Sequence, residues 1–311
     1  MITEARRARL RDPAVSARAF RLAAALALVA LFLVVVTGAT VRLTGSGLGC
    51  ENWPRCGETV LPAKDFNAYV EFGNRVVGFG VGLATLFAAW AAWRAGVRGR
   101  LFAAALGLPF LVLAQGILGG ITVVYELHPL IVMGHFLLSL GAIALAILVL
   151  LGADGLVERR PLADVPRWLR LVGAALVPVA LVLVVTGTLV TAAGPHSGGE
   201  GIQRFGNLEE AIEVHVGATA IFGIGFLVVM AALFRRRARA GRESAAAAAL
   251  FLLLVLQMVV GEVQWRNQLP WWLVLIHVLL ATAVWAAVVV LAVLLAQREP
   301  RAGHAPPLQR A

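Results

Sequence analysis

The sequence predicts an all-α, polytopic membrane protein with eight transmembrane helices, arranged as two parallel four-helix repeats in a 4+4 bundle. Composition is the first reason. Of 311 residues, 60% are hydrophobic and 14% charged, with a mean hydropathy of +0.86. A soluble globular domain is roughly 45–50% apolar and about 25% charged. Soluble, collagen-like and disordered chains are therefore excluded. The second reason is eight apolar runs, each long enough to cross a bilayer as a helix, at 20–41, 71–93, 101–124, 129–151, 169–192, 212–234, 244–265 and 271–296. The third is an internal repeat.

The first run follows a basic leader, 1–19. Arginines before an apolar stretch also suit a signal peptide, but the run passes into a Thr-Gly-rich segment without a small-residue cleavage motif. It is read as a membrane helix. Runs one to four form an N-terminal unit, 20–151, and runs five to eight a C-terminal unit, 169–296, joined by a linker, 152–168, with Pro161 and Pro166. The tail, 297–311, contains Pro300, Pro306 and Pro307 and is expected to be disordered.

The two units align with each other. Gln115, Gly119 and His135 recur 142 positions later as Gln257, Gly261 and His277. Thr37, Gly38 and Gly45 recur 149 positions later as Thr186, Gly187 and Gly194, and Asn74 stands 141 positions before His215. Four crossings return the chain to its starting side, so the units run parallel, an arrangement that packs about an axis along the membrane normal.

The net charge of +10 comes from 27 basic and 17 acidic residues. In a soluble chain that excess would suggest nucleic acid. Here 21 basic and 7 acidic residues fall in the N-terminus, the 94–100 turn, the 152–170 loop, the 235–242 run and the tail. The alternate loops hold 6 basic and 10 acidic residues. By the positive-inside rule the first set, with both termini, is cytoplasmic. The charge records topology, lipid is the surrounding partner, and no nucleic acid is expected.

Helices two, four, six and eight all start from the opposite, outer side. Asn74 and His215 lie about three residues inside their runs, and His135 and His277 about six, roughly 5–9 Å deep. Intramembrane ionisable residues are functional candidates by default. A lone histidine there is as readily a helix–helix hydrogen-bonding group. The aligned set, and His215 with His277 above all, points to ligation. Two neutral imidazoles on separate helices, without the four ligands that zinc prefers, suit a bis-histidine haem.

Cys50 and Cys56 are the only cysteines and lie in the first outer loop, GSGLGCENWPRCG. A disulfide suits that side, either as a structural staple or as a redox group. Glu71 opens helix two on the face of Asn74, as a dipole partner or as a general base and charge stabiliser. Arg75 is a partner for Glu71 or for a haem propionate. His128, before Pro129, is a cap, a residue behind the ligand or a substitute ligand. His196 is expected to be solvated, Glu209, Glu210 and Glu213 to form a solvated helix entrance, and His304 carries no inference.

At these residues the chain resembles the haem A synthase family. The likeness covers about 20–296 and rests on TGATVRLTGSGLGCENWPRC after helix one, EFGNR opening helix two, His135 with His277, and His215. The resemblance implies an eight-helix pseudo-twofold bundle that oxidises the C8 methyl of haem O, its substrate, to the formyl of haem A through an alcohol. It implies haem b as cofactor between His215 and His277 in the C-terminal half, a substrate haem at His135 in the N-terminal half, Glu71 as catalytic carboxylate and a Cys50–Cys56 disulfide. It further implies a bacterial-type plasma membrane, a haem O synthase as supplier and a terminal oxidase as recipient. One departure stands out. The family's helix-two motif commonly reads Glu-x-x-His-Arg, whereas here Asn74 takes the histidine's place, leaving His135 with His128 or water on the substrate iron. Asn74, Arg75 and His128 are thus candidate substrate-haem contacts. The competing reading is a haem b-binding electron-transfer protein without synthase activity. A transporter would gather its polar residues near the midplane, which these do not do.

Overall fold

The computed structural model describes residues 15–50, 52–53, 55–57, 62, 65–158, 165–196, 198–199, 201–236 and 241–297. All of its regular structure among these residues is helical. The eight helices are α1 (Ala17–Leu43), α2 (Phe66–Arg94), α3 (Gly99–Val124), α4 (Pro129–Val157), α5 (Arg167–Ala193), α6 (Leu208–Phe234), α7 (Gly241–Arg266) and α8 (Trp271–Ala296). Each is long and apolar enough to cross a membrane. Hydrocarbon offers no partners to backbone N–H and C=O groups, so the helix, which satisfies them internally, is the form a spanning segment takes.

Hydropathy placed the spans and capping sets their ends. Ser16 Oγ accepts from Ala19 N at 3.2 Å, and Asp65 Oδ2 from Ala68 N at 3.1 Å. Asn207 Oδ1 accepts from Glu209 N and Glu210 N at 2.9 and 3.2 Å. These caps start α2 at Phe66 rather than 71 and α6 at Leu208 rather than 212. The capping residues Asp65 and Asn207 are polar, and a hydropathy window does not read them as helix starts. At its other end α4 continues to Val157, into the stretch read as linker. Most of the leader (1–14), the linker core (159–164) and most of the tail (298–311) lie outside the described residues.

Helix contacts follow one pattern in both halves. The most extensive are α1 with α2 and α3 with α4, and correspondingly α5 with α6 and α7 with α8. α1 also contacts α4, and α5 contacts α8. The halves meet through α1–α8, α4–α5 and α4–α8. Among the described residues α2 makes no close backbone approach to α4, nor α6 to α8. The same is true of α1 with α3 and of α5 with α7, so within each half the first and third helices, and the second and fourth, stand on the diagonals of a four-helix unit.

The centre of the bundle is the α4–α8 contact, where Leu140, Ile143, Trp285 and Val288 are buried. Trp285 Nε1 donates to Leu140 O at 2.9 Å, so the one polar atom of a buried indole is satisfied inside apolar surroundings. At the arginine-rich end, Arg21 bonds Asp154 at 3.2 Å, and Arg242 approaches the same carboxylate at 3.9 Å. That cluster links α1, α4 and α7.

At the opposite end, which holds the disulfide, the chain leaves α1 and folds back onto α2. Ser46 Oγ donates to Asn67 Oδ1 at 2.9 Å. Gly49 then passes so close to α2 that a Cβ on it would stand 2.4 Å from Asn67 C and 2.7 Å from Ala68 N. Those are backbone atoms of a capped helical turn and have no room to yield. Gly49→Ala is expected to undock this loop and to destabilise the protein by about 2 kcal/mol. Thermal unfolding in detergent checks this, and an unchanged midpoint contradicts the docking described.

Candidate functional site

Four polar side chains lie at one level near the disulfide end. His135 is the seventh residue of α4 and His277 the seventh of α8, while Asn74 is the ninth of α2 and His215 the eighth of α6. At about 1.5 Å per residue they lie roughly 9–12 Å along their helices. This is deeper than the apolar runs implied, because the capped first turns lengthen α2 and α6.

Each of these side chains rests on a glycine of the preceding helix. A Cβ on Gly187 would be 3.1 Å from His215 Cε1, and one on Gly261 would be 3.1 Å from His277 Cε1. On Gly119 it would be 3.4 Å from His135 Cε1, and on Gly38 it would be 3.7 Å from Asn74 Oδ1. A Cβ at Gly187 or Gly261 would make the imidazole give by a few tenths of an ångström, whereas at Gly119 and Gly38 it would make ordinary contact. Small residues that let membrane helices approach closely here also seat a ring.

Hydrogen bonding separates the four. Thr186 Oγ1 lies 3.0 Å from His215 Nδ1 and donates to Leu183 O at 2.8 Å. A hydroxyl has one proton. With that proton on Leu183 O, the hydroxyl accepts from His215 Nδ1–H, and the lone pair of Nε2 is left for a ligand. In the first half Thr37 Oγ1 donates to Asn74 Oδ1 at 2.7 Å, so the oxygen of that amide is already engaged. His135 Nδ1 and His277 Nδ1 are buried without a partner, as are Gln115 Oε1 and Gln257 Oε1. Gln115 Nε2 donates to His135 O at 3.0 Å and to Ser139 Oγ. Leaving a polar atom buried and unpaired costs about 1–3 kcal/mol; Arg170 Nε and Gln264 Oε1, nearer the helix ends, are unpaired as well, but only the two imidazoles belong to groups that readily take a ligand. His215 and His277 stand at the same level on helices that make no close backbone approach. A flat group held between two imidazoles fits that arrangement.

The disulfide loop is anchored to α2 beside this level. Cys50 and Cys56 are bonded. Glu71, 5% exposed, accepts from Cys50 N at 2.9 Å through Oε2 and from Arg75 Nη2 at 2.6 Å through Oε1. Arg75 Nη1 donates to Asn52 O at 3.1 Å and to Arg55 O at 2.6 Å. Glu71 does not open its helix. With α2 starting at Phe66, no acidic residue lies in the first turn, and the carboxylate binds the loop instead of the helix dipole. Arg75 takes the first of its two expected partners.

The remaining candidates separate cleanly. His128 is the N-cap of α4 but makes no side-chain capping bond, and it is exposed. His196 is not solvated. Its Nε2 bonds Leu269 O at 2.7 Å and its carbonyl accepts from Arg42 Nε at 3.0 Å, tying the second outer loop to α1 and to the α7–α8 turn. Glu209, Glu210 and Glu213 are exposed. His304 lies outside the described residues. Sequence reasoning missed Thr37 and Thr186 as partners of the polar level. Their repeated Thr-Gly pairs were the available signal.

Residues 21–196, more than half of the chain, match the family described as cytochrome oxidase assembly protein. The chain belongs to that family. Among curated relatives it is 33% identical over 132 residues to the heme A synthase of Bacillus licheniformis, covering 40% of this chain and 43% of that protein. With that of Symbiobacterium thermophilum it shares 40% over 123 residues, 38% of this chain and 40% of the relative. With that of Halalkalibacterium halodurans it shares 31% over 148 residues, 46% and 49%. The aligned stretch spans less than half the length of each of these relatives.

The anchored loop yields a direct expectation for this family member. Removing a charge-assisted bond to a buried carboxylate costs about 1.5–3 kcal/mol and favours local opening. In Glu71→Ala and in Arg75→Ala, Cys50 and Cys56 should become labelled by maleimide under mild reductant about tenfold faster than in the unsubstituted protein. Glu71→Gln, which keeps an acceptor for Cys50 N, should lie between. Equal labelling rates would contradict the clamp.

Proposed function

We propose that the chain is a haem A synthase, oxidising the C8 methyl group of haem O to a formyl group by successive oxidations at one carbon. The observation that carries this reading is the pair His215 and His277, each seated on a glycine at one level of two helices that make no close backbone approach. Family membership and the heme A synthases among its relatives support the same conclusion.

In this reading the C-terminal unit holds haem b. The unpaired Nδ1 of His277, the free Nε2 of His215 and the glycine seats fit such a group. When bound, haem b supplies reversible one-electron storage. His215 and His277 are the residues that would hold it, and Thr186 would fix the tautomer of the first.

The N-terminal unit binds the substrate. His135 is its iron-facing residue. Asn74 is a neighbour and not a ligand, because Thr37 holds its oxygen and a carboxamide is a poor donor to haem iron. One protein ligand on the substrate iron is compatible with chemistry at the ring edge. Glu71 supplies the carboxylate. Its two oxygens offer about four acceptor sites, two of them taken by Cys50 N and Arg75. The others can accept a proton from water attacking the oxidised carbon, or stabilise positive charge there. Arg75, bound to Glu71 and to two loop carbonyls, orients the carboxylate and is not assigned to a propionate.

The charge distribution supports an orientation with the arginine-rich end and both termini in the cytoplasm, and with the disulfide end facing outward from a bacterial-type plasma membrane. A haem O synthase upstream and a terminal oxidase downstream are the partners this reaction requires.

The replacement of a histidine by Asn74 favours one alternative, a haem b-binding electron-transfer protein without synthase activity. Co-expression with a haem O source, followed by haem extraction and mass analysis, separates the two. The proposal expects haem A or its alcohol intermediate. Haem O recovered unchanged, with the protein present and folded, selects the alternative.

A further inference from the structure

We infer that Trp53 forms the wall of the first-half site against which a planar porphyrin substrate lies, an inference that rests on the function proposed above. Trp53 sits in the disulfide loop, and its backbone is held on both sides. The carbonyls of Asn52 and Arg55, which bracket it, both accept from Arg75 Nη1, at 3.1 and 2.6 Å. Glu71 holds Cys50 N. The loop is thus fixed to α2, next to Asn74.

The side chain reaches the other side of the site. A Cβ on Gly120 of α3 would stand 2.7 Å from Trp53 Cδ2, 2.8 Å from Cε2 and 3.0 Å from Cε3. Cδ2 and Cε2 form the bond shared by the two indole rings and Cε3 is bonded to Cδ2, so the indole lies with its face on Gly120. The preceding residue, Gly119, is the seat of His135. Consecutive Cα atoms are about 3.8 Å apart, so the indole and the imidazole stand on neighbouring seats of one helical turn. Trp53 therefore spans from the loop fixed on α2 to Gly120 of α3, one position along the chain from the seat of His135. It is 45% exposed, and a large aromatic surface remains uncovered.

The second half has no such seat. By the 142-residue repeat, the counterpart of Gly120 is Glu262, an exposed side chain paired with Arg266 at 2.5 Å. The flat wall is thus confined to the half that must admit and release a ligand. Aromatic rings at membrane surfaces also act as interface anchors. An anchor needs neither a glycine seat nor a backbone clamped on both sides.

The test is titration of ferric haem B, as a porphyrin probe, into the purified full chain whose second half is already loaded. It is followed by absorption and by quenching of tryptophan fluorescence. Trp53→Ala and Gly120→Ala are each expected to weaken binding of the added haem about tenfold, which is about 1.4 kcal/mol. Trp53→Phe, which keeps a flat ring, should stay within about threefold. The double variant should be no weaker than Trp53→Ala alone, since both changes remove one contact. The spectrum of the haem already present should not change. Binding unaffected by Trp53→Ala overturns the inference, as does an effect of Trp53→Ala that Gly120→Ala fails to reproduce. Unsubstituted protein that binds no added haem overturns the substrate site itself, and the Trp53 assignment with it.

Discussion

The contact between a polar side chain and a glycine on the preceding helix organises this bundle. It occurs four times, at Gly38 with Asn74, Gly119 with His135, Gly187 with His215 and Gly261 with His277. These contacts lie in the four helix pairs that meet most extensively, α1–α2, α3–α4, α5–α6 and α7–α8. Lipid gives no hydrophobic drive to bring helices together, so close approach at small residues and satisfied polar groups must do so. Here one device does both. It fixes the spacing within each pair and places the four polar side chains at one level of the bundle. The apolar remainder, from Phe20 to Leu295, fills the space between the positions these contacts set.

The two halves use this frame differently. In the C-terminal half both ring-bearing positions are histidines, and Thr186 orients one of them. In the N-terminal half one histidine is replaced by Asn74, and the disulfide loop, with Glu71 and Arg75 beneath it, closes over the same end. A pair of imidazoles is the pattern proposed for a resident group, and a single imidazole with a carboxylate near it the pattern proposed for a ligand that must leave. The difference lies in a few side chains on a shared backbone plan, and His196 and Arg42 join the two halves at this end.

Much of this was legible in the sequence because the signals were periodic or local. Eight helices follow from eight apolar runs, and the polar level follows from repeat offsets linking His135 to His277 and Asn74 to His215. The ends of α2 and α6 were not legible, since Asp65 and Asn207 are polar caps that a hydropathy window does not read as helix starts. Glu71 and its pairing with Arg75 were legible, but not its second partner. Cys50 N lies 21 positions earlier, and no spacing rule connects a loop amide to a carboxylate in the next helix. The same holds for Trp53 on Gly120 and for the ring of His196 on Leu269 O. Adjacent glycines at 119 and 120, costly in a helix by about 1 kcal/mol each against alanine, were the one visible sign that something had to fit there.

The central claim is that imidazoles seated on glycines hold haem iron in the C-terminal half. Low-temperature electron paramagnetic resonance on the purified ferric protein tests it most directly. The account predicts a low-spin, six-coordinate haem signal that is lost in His215→Ala and in His277→Ala and retained in His135→Ala. A low-spin signal that survives both of the first two substitutions, or purified protein without haem, would contradict it.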